Sequence, residues 1–190
     1  GSPAGPSMRN LLVEVPVPGP GRGGPSSPIV DQGTGLFPGG MQQRFRELKP
    51  IVADMVEGYG AEYLGVLESK SDGLGVWSAD AFTLVTFVGN PTFKAFARLM
   101  AGDYGSRPTD PEHTMVLVNP YFTAPRDIGQ IWEKRLREEA DAIINGRDWT
   151  WTYCVRPCRG SRGEFGRPAR RGVLALEYPG EWALWESDGG

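Results

Sequence analysis

Histidine, lysine and cysteine are all scarce in this chain of 190 residues. A single histidine, His113, removes most metal and nucleophilic chemistry that depends on imidazole, and no Ser/His/Asp or Cys/His set can be assembled around it. Two cysteines, Cys154 and Cys158, are too few for a disulfide scaffold or a zinc site. They could bond to each other only where the strand ends near Cys154 and the chain doubles back. Otherwise they stand as one buried and one exposed thiol in a reducing compartment. No apolar run approaches the roughly 18–20 residues of a membrane helix, so any membrane association would be peripheral or through a protein partner. No signal peptide is visible, but the opening Gly1-Ser2 has the look of a tag-cleavage scar, so that absence carries no information. The net charge of −3 argues against a general nucleic-acid binder.

The remaining composition, 39% hydrophobic and 23% charged, is that of an ordinary globular domain. One domain is expected over residues 11–186, between disordered ends at 1–10 and 187–190. A Pro/Gly-rich connection at 16–40 is unable to compact by itself. Apolar, β-branched runs predict strands at 11–15, 62–67, 82–88, 114–118 and 149–155, with two more at 173–178 and 182–186. Helical spacing of Met41, Phe45, Leu48, Val52, Met55 and Val56 predicts a helix over 41–57, kinked or split near Lys49 by Pro50. Asn90 reads as the N-cap of a second helix, with Pro91 in its first turn and Gly102 as its stop. Asp127 reads as the cap of a third, with Gln130 reaching back and Ile128, Ile131, Trp132, Leu136, Ala140 and Ile143 on one buried face up to Gly146. Trp149, Trp151, Tyr153 and Val155 alternate with polar residues as one aromatic strand face, and Pro179-Gly180 suits a type II turn in a closing hairpin. The fold class that results is α/β, a layered mixed sheet with a parallel centre, flanking helices and a C-terminal antiparallel hairpin. Strand order does not follow from sequence.

Four places invite a functional reading. Gly39 and Gly40 end a glycine-rich run before the first helix, where free amides can hold a phosphate. The spacing matches neither established phosphate or dinucleotide motif, and the run contains no lysine, so a tight loop into a helix accounts for it as well. Asp72, in Ser71-Asp72-Gly73, could act as an acid, a ligand or a ribose contact, or could simply close its own turn. Asn119 stands at the carboxyl end of a buried strand, where open α/β sheets bind ligands, and could equally satisfy backbone groups before Pro120. Residues 156–171 set Arg156, Arg159, Arg162, Arg167, Arg170 and Arg171 against Glu164 alone, within a chain of 16 arginines and four lysines. An exposed, mobile arginine loop for an anionic partner is expected there, with a solvated loop of biased composition as the plain alternative. Glu138 and Glu139 read as a solvated helix face.

In order along the chain stand Leu12-Val13-Glu14-Val15-Pro16, Phe37-Pro38-Gly39-Gly40 with Gln42-Gln43-Arg44-Phe45, and Ser71-Asp72-Gly73 with Gly75-Val76-Trp77. They are followed by Leu117-Val118-Asn119-Pro120, Ile128-Gly129-Gln130 with Trp132-Glu133, and Tyr178-Pro179-Gly180-Glu181-Trp182. Together, from about Leu11 to Trp185, these motifs resemble an uncharacterised domain family of plastids and cyanobacteria. That family includes the third low-photosystem-II-accumulation assembly factor, and a related domain is appended to a chloroplast adenylate kinase. The resemblance implies a chloroplast protein, stromal and peripheral to the thylakoid, that assists photosystem II assembly. It brings no catalytic residues and no cofactor, and it does not account for the arginine-rich or proline-rich segments. The expectation is a non-enzymatic auxiliary factor whose partner is a photosystem II subunit or assembly intermediate, with an anionic lipid surface as a further partner. The alternatives are a nucleotide-binding regulatory module and an RNA-binding plastid factor, the latter disfavoured by the net charge.

Overall fold

A computed structural model describes residues 9–19, 40–68, 74–105, 110, 112–159 and 171–187. The strands are β1 (Asn10–Glu14), β2 (Glu62–Val66), β3 (Gly75–Ser78), β4 (Phe82–Thr86), β5 (Thr114–Val118), β6 (Trp149–Arg159), β7 (Arg171–Glu177) and β8 (Ala183–Ser187). The helices are α1 (Gly40–Met55), α2 (Phe93–Met100) and α3 (Lys134–Ile144). The strands form a single sheet in the order β2-β3-β4-β5-β1-β6-β7-β8. Its centre, β4-β5-β1-β6, is parallel, and both flanks are antiparallel. This is the expected mixed α/β sheet with its C-terminal hairpin.

Alternation along the strands divides the core in two. Val13, Leu84 and Val118 pack with Phe45, Leu48 and Val52 of α1 on one face. Leu12, Val85 and Leu117 pack with Phe93, Phe96 and Leu99 of α2 and Leu136 and Ala140 of α3 on the other. The helices thus lie on both faces, the arrangement that covers parallel strands.

Several local expectations change. Gly75, Val76 and Trp77, outside every strand expected from the sequence, form a short strand between β2 and β4. Gly75 belongs there because a Cβ would come within 2.7 Å of Phe45 Cζ. Pro50 is carried inside one continuous helix, α1, rather than splitting it.

Asn90 does not cap α2. Thr92 Oγ1 accepts the Gly89 N–H at 2.9 Å and donates to Phe87 O, organising a 3₁₀ turn, Asn90–Thr92, ahead of the helix. Asn90 Oδ1 instead accepts the Gly129 N–H at 2.7 Å.

The third helix begins at Lys134, well after Asp127, because Gly129 at φ +74° turns the backbone into the left-handed region. The Asp127 carboxylate looks upstream, accepting the Thr123 and Ala124 amides at 2.7 and 3.0 Å. Ile128 is buried as expected, but Ile131 and Trp132 fall outside the helix and outside the core.

The aromatic face of β6 is broken by a register shift. Leu12 pairs with Trp151 but Val13 with Tyr153, so Thr152 is the extra residue and Tyr153 falls in step with Val13. In the closing hairpin, Gly180 N–H bonds Glu177 O at 2.7 Å, which makes Pro179 the third turn residue and not the second.

Of the segment 156–171, Arg156 and Arg159 lie in β6 and Arg171 in β7, not in a loop. β6 continues to Arg159 because β7 pairs with it without interruption from Tyr153↔Glu177 to Arg159↔Arg171. The same continuity separates Cys154 and Cys158 by about 13 Å along the strand, too far for a disulfide. Cys154 is a buried thiol outside any disulfide, its Sγ 3.9 Å from Glu14 Oε2.

Candidate functional site

Chain reversal marks the carboxyl ends of β1 and β5 as the natural ligand position. From β1 the chain crosses by α1 on one face toward β2–β4, and from β5 it crosses by α3 on the other face to β6. Adjacent strands whose connections diverge to opposite faces leave a crevice between them in open α/β sheets. Here Asn119 occupies that position. It is fully buried at φ +52°, its Oδ1 accepts the Val15 N–H at 2.8 Å, and its Nδ2 donates to Val15 O at 2.9 Å. The Asn119 N–H also donates to Val13 O at 2.8 Å. The backbone groups that the structural reading expected Asn119 to satisfy are those of Val15, and its side-chain amide extends the β1–β5 ladder past the end of the strand.

Two buried charges flank this point. Glu14, 1% exposed, receives Arg156 through Nε at 3.0 Å to both carboxylate oxygens and through a further short contact from Nη2. Arg156 also lies 6.0 Å from the Trp151 ring centroid. Arg156 is therefore not part of an exposed loop for an anionic partner. Strand β6 carries it to the sheet interior because a buried carboxylate on β1 needs a guanidinium beside it. At the start of α1, Arg44 donates to the Tyr121 hydroxyl and lies over its ring, and Tyr121 packs on Phe87.

The opposite behaviour occurs between β5 and α3. Ile131 and Trp132 are 84% and 80% exposed, the two most exposed large apolar side chains among the described residues. Their loop is tied down on both sides: Asn90 holds Gly129, Glu133 Oε2 accepts the Gln130 N–H at 2.9 Å, and Lys94 lies 3.4 Å from Glu133. The Gln130 amide, joined by Lys94, holds the Glu133 carboxyl below its usual range. Trp132 forms one wall of a groove of about 900 Å³ between α2 and α3, floored by Ala97, Ala101, Leu136 and Ile143. Ile131 borders a second hollow of about 680 Å³ on the far side of α3, beside Pro125 and Arg137. At the groove's outer end, Tyr104 and Arg98 both donate to Glu68. Desolvation, then the Glu68 bond, pushes the Tyr104 hydroxyl up to about 12.

Of the other positions read from sequence, Gly40 opens α1 at φ +62° with open space around it. Arg159 and Arg171 stand opposite each other at the end of the β6–β7 ladder. Gly39, Asp72, Arg162, Arg167 and Arg170 lie outside the described residues. Glu138 and Glu139 pair with Lys134 and Arg135 one turn back, as a solvated face does. The structure brings none of Gly40, Asn119 and the arginines into one ligand pocket among the described residues. The Ile131-Trp132 surface went unrecognised because its apolar spacing fits a buried helix face equally well, and Gly129 was the available sign against that. Among the described residues, no group of three or more His, Cys, Asp or Glu is placed to hold a metal ion, and no helix is long and apolar enough to cross a membrane. Comparison of the chain with protein families, with characterised proteins and with solved structures finds no match.

Proposed function

We propose that this chain is a non-enzymatic plastid auxiliary factor that assists photosystem II assembly by docking a protein partner, and that the partner seats on the Ile131-Trp132 surface. The observation carrying this reading is the exposure of two adjacent large apolar side chains on a loop whose backbone is fastened from both sides. Such a loop is ordered before binding, which lowers the entropy cost of association. Tryptophan is also the residue type most enriched at interface hot spots. The grooves on either side of α3 supply concave ground of mixed apolar and charged side chains for a partner. The plastid and photosystem assignment is supported by the order and spacing of the motifs from Leu11 to Trp185.

Affinity purification from solubilised thylakoids tests both parts, with wild type beside Ile131→Ser/Trp132→Ser and beside charge reversal at Arg167, Arg170 and Arg171. Photosystem II subunits should accompany the wild type and be lost with the Ile131/Trp132 variant. Failure of the wild type to recover any such subunit refutes the reading. Loss only on charge reversal would move the docking surface to the arginine segment.

A further inference from the structure

The two edges of the sheet are built differently. β2 carries a register shift between Tyr63 and Gly65, with Gly65 at φ +109°, a bulge that spoils the edge as a template for another strand. β8 has no such device. It pairs with β7 at five consecutive positions, and its sequence Ala-Leu-Trp-Glu-Ser contains no lysine, proline or glycine. Leu184 and Trp185 are 59% and 68% exposed, and no strand lies beyond β8 among the described residues. A regular edge with exposed Leu184 and Trp185 and a single charged residue, Glu186, is a template for strand addition.

We propose that β8 pairs with β8 of a second copy, antiparallel about a two-fold axis, joining two sheets into one. The segment is its own complement when the axis passes through Trp185. Trp185 then faces Trp185 of the other copy, Ala183 faces Ser187, and Leu184 faces Glu186, so the two Glu186 carboxylates are kept from facing each other. Val173 and Pro157 continue the Trp185 row across β7 and β6, giving an unbroken apolar row through the junction. A five-residue strand pair is only about 17 Å long. Its area falls short of the roughly 800 Å² per partner of a standard stable interface, so the dimer is weak and concentration-dependent. This surface is separate from Ile131 and Trp132, and the inference stands whatever docks there.

Sedimentation velocity of the full chain from about 10 µM to about 1 mM decides the matter. The wild type should shift from monomer toward dimer across that range, and the β8 amides should gain hydrogen-exchange protection in step. Leu184→Lys and Trp185→Lys, each checked for an unchanged melting transition at the lowest concentration, should remain monomeric throughout. A wild type that stays monomeric, or a dimer that forms without added protection of β8 amides, overturns the proposal. So does a dimer that survives both substitutions.

Discussion

Asn119 and Val15, 104 positions apart in sequence, are joined by two side-chain hydrogen bonds, with the Asn119 amide holding both the N–H and the C=O of Val15. One side chain thereby does the work of a strand residue at the point where β1 and β5 part. Asn119→Ala should destabilise the fold by about 2–4 kcal/mol, from two lost buried hydrogen bonds and a non-glycine residue without a polar side chain in the left-handed region. Asn119→Gly should cost less, since it tolerates that backbone. Equilibrium urea unfolding measures both, and an alanine variant as stable as wild type would refute the bridging role.

The Glu14–Arg156 pair makes a sharper test of where the arginines act. Arg156→Met keeps much of the side-chain bulk but removes the guanidinium from a carboxylate that is 1% exposed. A loss of about 3–5 kcal/mol is expected, as for one partner taken from a buried ion pair. Glu14→Gln combined with Arg156→Met should recover part of it. A double-mutant cycle reads the coupling, and purely additive losses would show that the pair is not coupled.

Gly75 lies beneath the Phe45 ring, which is itself packed against Tyr63 and Trp77. Gly75→Ala should cost about 1–3 kcal/mol by overpacking. Phe45→Leu in the same chain should relieve some of that cost, measured as a partial recovery of the denaturation midpoint.

Asp127 sets an acid limit for the loop before α3. The Thr123 amide, with the Ala124 amide, the Thr123 hydroxyl and Arg126, holds its carboxyl below the ordinary value. A depressed folded pKa contributes stability that is complete above the unfolded value of about 3.9. That contribution is lost as pH falls through the folded value. The melting-temperature gap between wild type and Asp127→Asn should therefore be constant near neutrality and narrow below about pH 4. A gap that does not change with pH would contradict this.

Most of the elements were legible from local pattern. The runs at 82–88 and 114–118 became β4 and β5, and Val173 and Trp185 lie in the expected terminal hairpin. Errors arose where two structures share one spacing. Ile128, Ile131 and Trp132 fit a helix face by period, but a single glycine in the left-handed region sends two of them to solvent. Arg156 looked like the start of a charged loop because its partner, Glu14, is 142 residues away.

Hydrophobic alternation and helical period, properties of neighbouring residues, were enough to set the α/β class, the parallel centre and the terminal hairpin. Strand order, the pairing of Glu14 with Arg156 and the bridge from Asn119 to Val15 came only with tertiary structure. Each depends on which distant segments share space, and a buried charge or amide takes whatever partner the assembled sheet places beside it.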